Sequence, residues 1–231
     1  MIKALAIHNS YIPKGLGTSD ELFQYVGFGK PDKVENVLKC SESEVTLMFE
    51  QEIFQGHNLK YPLAWSQSLK DSNGKCRGKV RMTLVAGVPL DFEFGSEYIR
   101  ASISASLQAK VTKDGKEHWL NKVHEDPDTN DLSKCYEKER IKGGYKWKPV
   151  KRYEADLKRI IAEDWRIKVS LLLRDGFELG SRPIKFALIF TLSDPDGIAP
   201  VYNEVIVGLR NKNVITNPIQ LRAQVQEKVR V

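Results

Sequence analysis

Apolar and polar residues alternate along most of this chain from residue 44 onward, in a way that predicts strands. Val45, Leu47 and Phe49 alternate, then Val80, Met82 and Leu84, then Ile99, Ile103, Leu107 and Val111 with small polar residues between them. Residues 98–110 form the longest such stretch, with Ser and Ala alternating against apolar positions as on a half-buried strand. Ile167, Val169, Leu171 and Leu173 alternate again, followed by Ile184, Phe186, Leu188 and Phe190, and by Val205, Val207 and Leu209. Asp194-Pro195-Asp196-Gly197 reads as a hairpin turn. The class expected is mainly β, an antiparallel sandwich of jelly-roll type. Residues 113–153 are polar and charged, too long for a simple hairpin loop, and read as mobile.

The first forty residues follow a different pattern. Ile2, Leu5 and Ile7, with Ala4 and Ala6 between them and only Lys3 interrupting, read as the end of a well-buried helix with no capping residue ahead of it. A helix under about three turns does not hold alone in water, because nucleation costs more than so few bonds return. These residues are therefore expected to need a core supplied from elsewhere, as in a fragment or one half of a two-part protein. A Gly/Pro loop over residues 11–19, a short helix over 20–25, a turn at Gly27-Phe28-Gly29-Lys30-Pro31-Asp32 and a second short helix opened by Pro31, with Val34, Val37 and Leu38, complete this part. The expected organisation is residues 1–40, then a β-domain over 41–212, then a tail over 213–231. Within that tail, Leu221, Val225 and Val229 at helical spacing predict a short amphipathic helix.

Composition narrows this only slightly. The 231 residues are 41% hydrophobic and 29% charged, enough for a real core, and the formal net charge of +6 permits an acidic partner without demanding one. No apolar stretch approaches the roughly 20 residues a membrane-crossing helix needs. Cys40, Cys76 and Cys135 are odd in number and form no CxxC pair, which fits idle thiols in a reducing cytoplasm better than a disulfide framework or a cysteine zinc site.

The residues IKALAIHNS (2–10), a variable loop, and YVGFGKPDKVENVLKCSESEVTLMFE (25–50) resemble the stretch that follows the catalytic serine in subtilisin-like serine peptidases. In that family an apolar helix ends in a similar run, and a Gly-x-Gly-x-Pro/Val-Asp turn introduces the short helix that closes the catalytic domain. Further on, KWKPVKRY (146–153), FALIFTLSDPDG (186–197) and APVYNEV (199–205) are similar to the C-terminal β-domain of a large bacterial subset of the family. The resemblance implies an α/β catalytic-domain remnant followed by a non-catalytic accessory β-domain. It also implies a triad-bearing N-terminal half as partner, and peptides or proteins as substrates of the intact enzyme. The family's Asp, His and Ser, and its Gly-Thr-Ser-x-Ala-x-Pro motif, match no positions in this chain, so hydrolysis through an acyl-enzyme is expected of the intact enzyme only. Gly17-Thr18-Ser19 spells the first letters of the serine motif, but Asp20-Glu21-Leu22 follow, and Ser19 reads as a helix cap.

No residue is assigned a catalytic, cofactor-binding or metal-ligating role, and no cofactor is expected. His8 reads as a packed structural residue at the helix end, and His57 as a loop residue. His118, His124, Glu125 and Asp126 could form a His/carboxylate metal site, but a solvated loop is the preferred reading. Residues 126–137 mimic a calcium loop, yet Asp131 stands where glycine is required and Pro127 stiffens the approach. KERIKGGYKWKPVKRY (138–153) interleaves Tyr145 and Trp147 with cations as single-strand nucleic-acid binders do; a charged loop leading into a lysine-guarded edge strand is preferred. The alternative function is a free-standing β-sandwich that binds protein or carbohydrate, with Trp65, Trp119, Trp147 and Trp165 supplying ligand platforms.

Overall fold

The computed structural model describes residues 1–13, 27–33, 41–123 and 147–214. A short helix, α1 (Ile2–His8), is followed by a two-stranded pairing of β1 (Ser10–Tyr11) with β2 (Lys30–Pro31). Eight strands come next: β3 (Glu44–Ile53), β4 (Asn58–Leu63), β5 (Lys75–Ala86), β6 (Ala101–Lys113), β7 (Lys116–Val123), β8 (Val150–Ile161), β9 (Asp164–Leu173) and β10 (Ile184–Ser193). A helix, α2 (Val201–Asn211), ends the described part.

The eight strands form two four-stranded antiparallel sheets, in the orders β3-β10-β5-β8 and β4-β9-β6-β7. The pairing is nested: β3 pairs with β10, β4 with β9, β5 with β8 and β6 with β7. Every connection except the β6–β7 turn therefore passes from one sheet to the other. That one turn is made by Asp114 and Gly115, both at positive φ (53° and 71°), as a two-residue hairpin connection requires.

Alternation explains the core. Val80, Met82 and Leu84 of β5, Leu188, Phe190 and Leu192 of β10, Ile103, Ala105 and Leu107 of β6, and Ile167 and Val169 of β9 join one buried cluster that spans both sheets. Polar links cross it. The Ala105 N–H donates to Tyr153 Oη (3.3 Å), and Lys151 Nζ donates to Ser102 Oγ (3.0 Å).

Several expectations need correction. Val205, Val207 and Leu209 belong to a helix, because Val201, Val205 and Leu209 recur every four residues and are buried while Val207 is 53% exposed. Asp194-Pro195-Asp196-Gly197 turns the chain from β10 into α2 and makes no hairpin; the Asp194 carboxylate accepts the N–H groups of Asp196, Ile198 and Ala199. Within residues 113–153 the chain forms β7 and the start of β8. The short helices expected over 20–25 and 34–38, and the tail helix, lie outside the described residues.

Helix α2 lies close to the end of β4. A Cβ at Gly208 would sit 2.6 Å from the Ala64 Cβ. A Gly208→Val substitution should lower stability by about 1–3 kcal/mol through this overlap, with any gain in helix propensity under about 1 kcal/mol. The readout is the urea midpoint, and an unshifted midpoint would contradict this seating of α2.

Candidate functional site

Among the described residues, the most developed polar arrangement lies where α1 meets the first sheet. Met1, Ala4, Leu5 and His8 share one face of α1 at helical spacing, and Ala4 and His8 are buried there. Ala4 packs on Ala187 and Ile189 of β10, with Met1, Leu5, Met48 and Val85 around them. The Met1 ammonium lies 3.8 Å from Glu50. Two expectations are corrected here: the core for α1 comes from β3, β5 and β10 of this same chain and not from elsewhere, and the buried face is a different one, with Leu5 and Ile7 half-buried and Ile2 pointing away at 86% exposure. A small residue at position 4 sets this, since Ala4 lets the helix backbone approach the sheet.

His8 is at the centre. Its Nδ1 lies 2.9 Å from Thr83 Oγ1 on β5 and its Nε2 2.8 Å from Thr191 Oγ1 on β10, and Thr191 Oγ1 is 2.7 Å from Thr46 Oγ1 on β3. A neutral imidazole has one donor and one acceptor nitrogen, so one threonine accepts from the ring and the other donates to it. Burial, then the positive charges of Arg81 and Arg152, lower the His8 pKa from 6.5 to about 3, with Glu154 pulling weakly the other way. The ring is neutral at physiological pH. With so low a pKa it is poorly matched to general-base work near pH 7.

Around His8, two guanidiniums hold the end of the helix. Arg81 Nη1 donates to the His8 carbonyl (3.2 Å), and Arg152 Nη1 donates to the carbonyls of Ile7 (3.2 Å) and Ser10 (2.8 Å) and to Ser10 Oγ (3.1 Å). Carbonyls at a helix C-terminus lack intrahelical partners and favour cations. Glu154 Oε1 accepts from Arg81 Nε (2.8 Å) and Arg152 Nε (2.9 Å), and also from Arg152 Nη2. Burial pushes the Glu154 carboxyl up, but the hydrogen bonds and charges of the two arginines outweigh it and hold the carboxyl below its ordinary value. Ser10 Oγ lies 2.8 Å from the Ile7 carbonyl and 2.7 Å from that of Phe28. The chemistry of this cluster is anchorage: its hydroxyls, guanidiniums and imidazole are committed to one another and to main-chain carbonyls.

A second feature is a groove of about 490 Å³ between α2 and the ends of β4 and β9. Trp65 and Trp165 stack beneath it, with ring centres 4.1 Å apart, and Trp65 Nε1 donates to the Arg77 carbonyl (3.0 Å). Lys212 and Glu204, two of its charged residues, are committed to neighbours. Lys212 Nζ donates to the Leu63 carbonyl (2.8 Å) and to Asp164, while Glu204 accepts from Ser66 Oγ (2.5 Å), the Ser68 N–H (2.9 Å) and Ser68 Oγ (2.6 Å).

The four tryptophans, expected under the alternative reading to include ligand platforms, each have a face occupied. Trp65 and Trp165 cover each other, Arg166 lies 3.8 Å over Trp119, and Arg174 lies 4.1 Å over Trp147. Cys76 is a buried free cysteine whose thiol burial pushes up, away from the reactive thiolate.

His57 is exposed, its Nδ1 3.1 Å from the Gln55 carbonyl, and His118 is exposed on β7. No group of three or more His, Cys, Asp and Glu residues that could hold a metal ion occurs among the described residues. Ser19, His124, Glu125, Asp126, the calcium-like loop 126–137, Cys40 and Cys135 lie outside them. Of the basic run, residues 147–153 are described: Trp147 packs under Arg174, Arg152 clamps α1, and Lys151 and Tyr153 are buried at β8, an edge strand. No described helix is long and apolar enough to cross a membrane.

Sequence reasoning singled out His8 but missed Thr83, Thr191, Arg81 and Glu154, and read Arg152 only as a cation of the basic run 138–153. The signal lies in strand register, where Arg81 sits opposite both Glu154 and Thr191, and Thr83 opposite Arg152. No family model matches the chain, and no curated protein matches it.

Proposed function

We propose that this chain is the C-terminal portion of a subtilisin-like serine endopeptidase. Residues 1–40 complete an α/β catalytic domain, and residues 41–212 form an accessory β-sandwich of jelly-roll topology. The nested strand order supports the sandwich, because pairing β3 with β10 through β6 with β7 is what results when one long antiparallel ribbon is rolled into two sheets. The observation that carries the functional reading is the seat of α1. The β-domain spends two arginines, a glutamate and two threonines on holding one short helix of the preceding segment. A helix of seven residues gains little from its own hydrogen bonds and depends on this seat; on the proposed reading, the seat also fixes the catalytic domain that α1 belongs to against the β-domain.

The accessory domain then stabilises the catalytic domain and shapes access to it, and the triad-bearing half is its partner. The odd number and wide spacing of Cys40, Cys76 and Cys135 support a reducing cytoplasm as the compartment. The chain by itself should be catalytically silent. Incubation of the purified protein with a fluorophosphonate probe is expected to leave every serine unlabelled, and stoichiometric labelling of one serine would overturn this reading.

A further inference from the structure

The connection between β5 and β6 carries an unusual load of exposed apolar surface. Leu90 is 51% exposed, Phe92 76%, Phe94 50% and Tyr98 38%. The loop is nevertheless tightly built. Leu90 and Ile99 are bridged, the Asp91 N–H donates to the Tyr98 carbonyl (2.7 Å), and the Asp91 carboxylate accepts the Glu93 N–H (3.2 Å). Phe92 stacks on Tyr98 with rings 10° from parallel. Beneath them the buried Arg100 lies 3.7 Å from the centre of the Phe94 ring and donates to the Asp175 carbonyl (3.3 Å), and Arg174 pairs with Glu97 (2.9 Å). Phe94 and Tyr98 have contacts within the loop, whereas Leu90 and Phe92 leave 51% and 76% of their surface to water, a contiguous apolar patch of the kind that marks contact surfaces.

Charge identifies the kind of contact. Residues 89–99 include Asp91, Glu93 and Glu97, the last paired with Arg174, and no lysine or arginine, in a chain whose net charge is +6. Two copies of such a loop repel each other, and an anionic lipid surface repels it as well. We infer that this loop is a docking surface for a protein partner that offers an apolar hollow rimmed by lysines or arginines. The partner's aliphatic or aromatic groups pack on Leu90 and Phe92, and its cations meet Asp91 and Glu93. This assignment does not depend on the peptidase reading.

Displayed random peptides selected against the full chain test it. The recovered peptides should combine an apolar residue with flanking Lys or Arg. Fluorescence anisotropy of the best one should weaken by about tenfold in the Leu90→Ser/Phe92→Ser double variant, as expected on losing the apolar anchors of an interface. The Glu93→Lys variant should also weaken it, and so should added salt. Both variants alter exposed side chains and should keep the parent circular-dichroism spectrum. A selection that recovers no peptides or acidic ones, or unchanged affinity in both variants, would overturn the assignment. Phe92-dependent binding to phosphatidylcholine/phosphatidylserine vesicles, without peptide binding, would replace the protein partner by a membrane and overturn it too.

Discussion

Acidification is expected to release α1 from the β-domain before the sheets unfold. His8 has an ordinary pKa of 6.5 and one of about 3 in its buried place between Thr83 and Thr191. Between those values the undocked chain takes up a proton that the docked chain refuses, so the undocked state gains as the pH falls. The stability of the seat is therefore complete above the ordinary pKa and drops by about 1.4 kcal/mol for each pH unit below it, until the folded pKa is reached. Arg81 and Arg152 worsen the case for a charged ring, and Glu154 relieves it only in part. Three carboxyls held below their ordinary values, Glu154, Asp194 and Glu204, act in the same direction, since each stabilises the fold only while ionised. Their ordinary values are 4.5, 3.8 and 4.5, so their losses come later in the titration. The upper part of the acid limb belongs to His8. Hydrogen exchange of the α1 amides should accelerate as the pH falls from about 6.5 to about 5, after correction for the intrinsic rate. A His8→Gln variant, which retains hydrogen-bonding groups but does not titrate, should lose that dependence. Equal slopes in parent and variant would remove His8 from this role.

Replacing Trp165 by alanine is expected to destabilise the protein more than any surface change. The side chain is 2% exposed and stacks on Trp65, which is itself 6% exposed. Its removal leaves a cavity beneath α2 and costs about 3–5 kcal/mol. Trp119 offers the contrast: half-buried on the edge strand β7, it packs chiefly with the guanidinium of Arg166. Trp119→Ala forfeits a cation–π contact worth about 0.5–1 kcal/mol and some apolar contact. Urea denaturation of both variants distinguishes structural from ligand-facing tryptophans. A Trp165→Ala protein within about 1 kcal/mol of the parent would contradict the buried stack, because truncations at well-packed core aromatics cost several times that.

The elements legible in the sequence were those buried on at least one face along their whole length. β5, β6, β9 and β10 occupy the interior of their sheets, and apolar residues recur at every second position along much of each, although β10 is buried on both faces. β4, β7 and β8 are edge strands, and there the pattern is short or broken. β4 alternates Leu59, Tyr61 and Leu63 inward against exposed Lys60 and Pro62 but is only six residues long, β7 is exposed at most positions, and the charges of β8 include an inward-turned Lys151. The fourth edge strand, β3, was readable only through its first half, where Val45 and Leu47 are buried. Helix α2 was read as a strand because positions 205, 207 and 209 satisfy an alternation that the buried spacing of 201, 205 and 209 satisfies equally. The site was legible at one residue. His8 stands at the end of a recognisable helix, whereas its hydrogen-bond partners lie 75 and 183 residues away. Only the register of β5 against β8 and β10 brings Arg81, Glu154, Arg152 and Thr191 to the same patch.

The reading of the chain as the C-terminal portion of a serine endopeptidase is tested most directly by the native DNA upstream of the codon for Met1, translated in all frames. The expected result is a frame that ends in Gly-Thr-Ser-x-Ala-x-Pro and a buried helix, with Asp and His motifs before it. Whether a stop codon or a frameshift intervenes would then separate a split enzyme from a gene remnant. Upstream sequence with no such motifs in any frame would contradict the peptidase assignment and leave a β-domain with its own docked helix.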